Sequence, residues 1–212
     1  NFGMGLLPMF LLGKMYQPNT DPVGGVAELV DCFLTATVAF GHAPYLILDY
    51  CFEPSKPFGL AYCGPGRIDF EKGKDIALRS YAMVQPLAAR YTQSEVKTIA
   101  YFDADGKAHP SSAAIADGTV GRNQVFVEYK DGTVIVANGN LKERLKTKVE
   151  NTVIDLPPRA FKGWTQDGKV QAEISEDAVG KRNYFCDCPE FTYKDGNLVK
   201  KQQLTINPLP EE

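Results

Sequence analysis

Residues 75–102 read DIALRSYAMVQPLAARYTQSEVKTIAYF, and a change of period inside them divides the chain. Ala77, Tyr81, Val84, Ala88 and Tyr91 recur at spacings of four and three, which places them on one helical face. Asp75 stands where a carboxylate helps the free N–H groups at a helix start. Pro86 removes a backbone donor and predicts a kink over residues 82–85 unless packing absorbs the cost. After residue 94 the period shortens: Val96, Thr98, Ala100 and Phe102 alternate with Lys97, Ile99 and Tyr101, as in a strand. The stretch reads as a junction between two architectures, with Leu87, Ala88 and Tyr91 expected in the interface between them.

Outward from the junction the two sides differ in kind. Upstream, residues 1–15 are a strand or buried loop, 16–25 (YQPNTDPVGG) are turn chemistry, and 26–40 form a helix. That helix is so apolar, with no charge after Asp31, that burial on most of its surface is predicted, and Gly41 is a suitable left-handed stop. Residues 44–50 (PYLILDY) suit a buried strand, and 51–73 form a long connection rich in Gly, Pro and aromatics. Downstream, Asp-Gly pairs at 105–106, 117–118, 131–132, 167–168 and 195–196 punctuate short strand-like runs. The pair favours type I′ hairpins, because both central residues need positive φ. Roughly eight such strands read as an antiparallel sandwich. Its hairpins are local, so residues 95–212 are expected to fold better alone than residues 1–94.

The bulk numbers exclude several function classes. Of the 212 residues 44% are hydrophobic and 23% charged, ordinary for a globular protein. A net charge of −3 gives no basic field for nucleic acid. The apolar opening FGMGLLPMFLLG is too short for a membrane span, is broken by Gly5 and Pro8, and lacks the basic start of a signal peptide. A chain that starts at Asn1 with such a segment is expected to be a piece of a longer polypeptide or to lack its N-terminal part, and its expected partner is the remainder of that polypeptide or a partner chain. Cys32, Cys51, Cys63, Cys186 and Cys188 lack a zinc-ligand spacing and read as buried free thiols. With only two histidines besides, no metal and no cofactor is expected. Walker A, GxGxxG, HExxH and CxxC patterns are absent.

Several phrases are familiar together: RSYAMVQPLAARY, then VKTIAYFDADGK, QVFVEYKDGTVIVANGN and DLPPRAFKGWTQDGK. They resemble the tail of large bacterial glycoside hydrolases, of the endo-α-N-acetylgalactosaminidase-like and related barrel families. In those, a terminal barrel helix leads into a sandwich with a V-x-V-x-Y-x-(D/N)-G-x-x-x-V-x-N hairpin and a later LPP strand. Val125, Val127, Tyr129, Asp131, Gly132, Val136 and Asn138 match the first pattern; Leu156, Pro157, Pro158 and Trp164 match the second, from which Ala160 and Gly163 depart. The resemblance implies the last units of a (β/α)8 barrel over residues 1–94 and a β-sandwich over 95–212. It also implies a bacterial glycan-acting enzyme, with a secreted or periplasmic location left open, whose catalytic carboxylates lie upstream of this chain.

Residues for a sugar site are then sought on loops. Glycoside hydrolysis uses two carboxyl groups about 5–5.5 Å apart for retention or about 6.5–9.5 Å for inversion. Asp49 and Glu53, among Tyr45, Tyr50, Phe52, Phe58 and Tyr62, are the local pair that fits a carbohydrate substrate. Asp21 and His42 join Asp49, Glu53 and Tyr45 as candidate substrate-binding residues. Each has a structural alternative: solvated acids on a packed aromatic loop, a helix cap for Asp21, a satisfied histidine after the helix for His42. Rival readings from other classes are a non-catalytic carbohydrate-binding or adhesion module, and a structural subunit that docks on a partner chain. His109, Ser111 and Ser112 are assigned no role.

Overall fold

The computed structural model describes residues 26–43 and 70–201. The segments 1–25, 44–69 and 202–212, with the strand and turn expectations placed on them, lie outside the described residues. In chain order the elements are α1 (Val26–Ala39), α2 (Phe70–Tyr91), β1 (Val96–Phe102), β2 (Ala108–Pro110) and α3 (Ser111–Ala116). A 3-10 turn (Thr119–Arg122) precedes β3 (Gln124–Tyr129), β4 (Thr133–Asn138), β5 (Leu145–Val149) and β6 (Thr152–Leu156). The chain continues with β7 (Ala160–Thr165), β8 (Gln171–Glu176), β9 (Arg182–Asp187), β10 (Phe191–Lys194) and β11 (Asn197–Lys200).

These elements overturn the barrel expectation. Nine strands make one sheet in the order β11-β10-β9-β8-β7-β4-β3-β1-β2, and β5 and β6 make a separate two-stranded sheet. Every strand pairing is antiparallel. The described part is mostly antiparallel and sandwich-like, with no alternation of parallel strand and helix. Helices α1 and α2 pack on each other and on one face of the large sheet, α1 against β4 and β7, α2 against β8 and β9. An apolar, nearly charge-free helix is what any layer covered on both sides requires, so the composition of α1 does not distinguish a barrel wall from this arrangement.

Register gives the covered face its composition. Val127, Ile135, Gly163, Ala172, Cys186 and Tyr193 stand in one row across six strands, and all are buried. All but the glycine, together with Val125, Ala137, Phe161 and Ile174, belong to the same hydrophobic core as Phe33, Leu34 and Val38 of α1 and Met83 and Leu87 of α2. The described residues 95–201 therefore depend on the helices to cover this face, which the local character of the hairpins does not reveal.

The junction itself is as expected in its contacts, and its helix is longer than the sequence predicts. The helix begins at Phe70, five residues before Asp75, and continues through Pro86 to Tyr91 without a break. A mid-helix proline costs about 3 kcal/mol; here Ala82, Met83, Val84, Leu87 and Ala88 are fully or almost fully buried around it, which offsets that cost. Tyr91 is 2% exposed, its ring stacks on Tyr129 with centroids 5.4 Å apart, and its hydroxyl donates to the His42 carbonyl at 2.8 Å. Burial pushes the Tyr91 phenol up and that of Tyr129 up to about 12, so both stay neutral hydrogen-bonding groups. Gly41, at φ +66, ends α1 directly beneath the Tyr129 hydroxyl, leaving no room for a Cβ.

Four Asp-Gly pairs do join strands, at 105–106, 131–132, 167–168 and 195–196. Only Asp195 and Gly196 both take positive φ, the type I′ signature. At 131 and 167 the aspartate instead accepts the N–H two residues on, from Thr133 at 3.0 Å and Lys169 at 3.1 Å, so the turns are closed by side chains. Residues 141–144 lead into strand β5. The two sequence patterns behind the family resemblance meet at Asn138. Its Nδ2 donates to the carbonyls of Leu156 and Pro157, both at 3.0 Å, and its Oδ1 accepts from Gln124 Nε2 at 3.1 Å. The amide thus fixes the β5–β6 hairpin to the end of β4.

Tyr91→Ala removes the stacking partner of Tyr129 and the donor of the His42 carbonyl at once. A stability loss of about 3–5 kcal/mol is expected, with cleavage at residues 92–95 accelerating sharply in limited proteolysis; an unchanged cleavage rate there would place the brace elsewhere.

Candidate functional site

Of the five residues proposed from sequence, Asp21, Tyr45, Asp49 and Glu53 lie outside the described residues. His42 is described, and it is packed into the fold. It is 2% exposed, its ring tilts against Phe40 at 6.0 Å, and its N–H donates to the Thr37 carbonyl at 2.9 Å. Burial lowers its pKa, so it is neutral at pH 7, and Nδ1 has no hydrogen-bond partner among the described residues. With its carbonyl tied to Tyr91, His42 anchors the end of α1.

The described residues hold a polar centre that the sequence reading passed over. Asp31, on α1, is 1% exposed and faces the sheet. The Tyr184 hydroxyl of β9 donates to both its oxygens, at 3.0 and 3.1 Å, and Arg182 Nε approaches at 3.5 Å. Arg79 of α2 lies over the Tyr184 ring, 4.5 Å from its centroid. Arg182 also reaches the Pro158 carbonyl, linking the centre to the turn before β7. Burial raises the Asp31 carboxyl to about 6, against the opposing pull of Arg182, Arg79 and the Tyr184 hydrogen bond. The one signal in sequence was an acid, Asp31, at the head of a charge-free run within a largely apolar helix; such a charge persists in a core only when it is paired.

Beside this centre a cavity of about 390 Å³ lies between α1 and the β1–β3 side of the sheet. Phe33, Phe40, Tyr101 and Val125 give it apolar walls, and Thr35, Asn123 and Arg159 bring polar groups to it.

A third cluster is electrostatic and peripheral. His109 Nε2 is 2.8 Å from Asp103 Oδ2, and its Nδ1 is 4.0 Å from Asp117. The hydrogen bonds from His109 and the Lys107 N–H hold the Asp103 carboxyl below its usual range. Ser111 is near in sequence, but its hydroxyl donates to the Ile99 carbonyl at 3.3 Å rather than to the imidazole, so no nucleophilic triad is formed. Among the described residues no group of three or more His, Cys, Asp or Glu is arranged to hold a metal ion. Cys186 and Cys188 are buried free thiols, and burial pushes both up, away from the reactive thiolate. No helix among the described residues is long and apolar enough to cross a membrane. No family model matches this chain, nor does any curated protein or solved structure.

Asp31 makes a signed prediction about pH. Its folded pKa lies above the ordinary value, so protonation favours the folded state: the contribution is present below about pH 4 and is lost as pH rises through about 6. The stability of the native protein minus that of Asp31→Asn should therefore rise by about 2–3 kcal/mol between pH 7 and pH 4. Urea unfolding of both proteins across that range measures it, and a pH-independent difference would contradict the assignment.

Proposed function

We propose that this chain is the non-catalytic, β-rich part of a glycan-processing protein, in which the sheet braces two helices and the segment between them meets the glycan. What supports this most is that residues 44–69 connect two helices packed on the sheet, α1 and α2. The described residues just before that segment are fixed, because the His42 carbonyl accepts from Tyr91, which stacks on Tyr129 of β3. A long connection between packed elements is where binding residues are usefully carried. That connection contains Tyr45, Asp49 and Glu53, with further aromatics at Tyr50, Phe52, Phe58 and Tyr62. Aromatic faces stack on the apolar faces of sugar rings while carboxylates accept from their hydroxyls, a division of labour this composition allows. The resemblance of the 124–140 and 155–169 phrases to glycoside hydrolase tails supports the same reading.

The catalytic carboxylates are assigned to residues outside this chain, so binding rather than turnover is the property to measure. The intact chain is expected to retain oligosaccharides on a glycan array, and Asp49→Asn to weaken the retained glycans by about tenfold, the loss of one hydrogen bond to a charged group. The melting temperature of the variant should match that of the parent. Retention of no glycan, or a lowered melting temperature with binding unchanged, would overturn the proposal.

A further inference from the structure

The cavity beside α1 has an unusual floor. Thr35 is 1% exposed, lines the cavity, and its hydroxyl has no hydrogen-bond partner among the described residues. A threonine within a helix ordinarily spends its hydroxyl on the carbonyl one turn back; here that bond is not made. Leaving a buried hydroxyl unpaired costs about 1–3 kcal/mol, so the arrangement fits a site completed by another molecule. Thr37 and Ser80 also carry unpartnered buried hydroxyls, but neither lines the cavity.

The walls state what kind of molecule fits. Phe33, Tyr101 and Val125 are apolar or ring faces, and Phe40 stands at 49% exposed. Polar groups are few, and two of them already have work in the fold. Arg159 donates through Nη1 to the Leu141 carbonyl at 3.0 Å, and its charge acts on Asp31. Asn123 sits in a left-handed conformation with its carbonyl accepting from the Gly139 N–H at 2.7 Å. Pockets of about 300–1,000 Å³ with apolar walls and a few polar groups are the usual form of small-molecule sites, and about 390 Å³ falls at the small end. A free sugar, polar around its whole rim, would strand most of its hydroxyls against these walls.

We propose that the cavity between α1 and the β1–β3 side of the sheet binds a small molecule with an apolar ring or chain and one hydroxyl or carbonyl, which pairs with Thr35. This site is built from described residues and does not depend on the glycan reading.

The test uses the intact chain and three probes: benzyl alcohol, toluene and methyl β-D-glucopyranoside, followed by methyl resonances of Ala36, Ala39, Val120 and Val125. Benzyl alcohol should give saturable shifts at these methyls, and toluene should bind about 3- to 10-fold more weakly, as one hydrogen bond predicts. Thr35→Val keeps the shape and should erase the discrimination between the two. Ala36→Leu should block both probes; if that variant fails to fold, the Thr35→Val comparison still decides. Absence of saturable shifts with benzyl alcohol, equal binding of both probes, or discrimination that survives Thr35→Val would each overturn the assignment. Saturation of the same methyls by the glucoside alone would also overturn it and transfer the site to carbohydrate.

Discussion

The described structure depends on the place where a side chain is missing. Gly163, in the middle of β7, lies beneath Leu87 of α2, and a Cβ there would meet Leu87 Cδ1 at 2.5 Å and Ile135 Cδ1 at 2.8 Å. Its φ is not in the left-handed region, so the glycine serves close approach rather than a turn. Because no side chain stands there, Leu87 seats against the strand, and Met83, Ala88 and Tyr91 of the same helix are buried with it. The continuous core that links helices to strands forms around this contact.

What was legible in the sequence divides along the same physical line. Local signals were read well: the helical period ending at Tyr91, the strand period after residue 94, the hairpin pairs, and the left-handed stop at Gly41. Each is encoded within a few residues by backbone preference or side-chain alternation. The partner surface of an apolar helix is not encoded locally. The pattern of α1 demands cover, and a parallel barrel or an antiparallel sheet supplies cover equally well, so the barrel inference failed where the evidence ceased to be local. Gly163 appeared only as a departure from a family pattern; its meaning required knowing that Leu87, 76 positions earlier, lies above it. The turns carried a smaller version of the same lesson. Asp-Gly predicted their location, but the aspartate side chains at 131 and 167, rather than paired positive φ, close them.

The polar groups in the core were the least legible. Asp31 and Thr35 lie one turn apart on α1, one paired with Tyr184 and Arg182 across the interface, the other turned to the cavity without a partner among the described residues. In sequence each is one of a few polar residues in a largely apolar helix, which also carries Glu28 and Thr37. A buried carboxylate and a buried hydroxyl each impose a geometric requirement on whatever faces them, so the face of α1 is specified more tightly than its hydrophobicity suggests. Of the sugar-site residues read from sequence, only His42 can be assessed, and its contacts make it an anchor of α1. The helix pair itself is fixed by Leu87, Gly163 and Tyr91.

A double-mutant cycle on Leu87 and Gly163 tests this account most directly. Gly163→Ala alone overpacks the slot and should cost about 1–3 kcal/mol, and Leu87→Ala alone should cost about 2–5 kcal/mol as a cavity. In the Leu87→Ala background the added methyl has room, so Gly163→Ala should then cost much less, with a coupling energy of at least about 0.5 kcal/mol in urea unfolding. If the two losses simply add, Leu87 does not seat on Gly163 and the helix pair is not braced by the sheet through this contact.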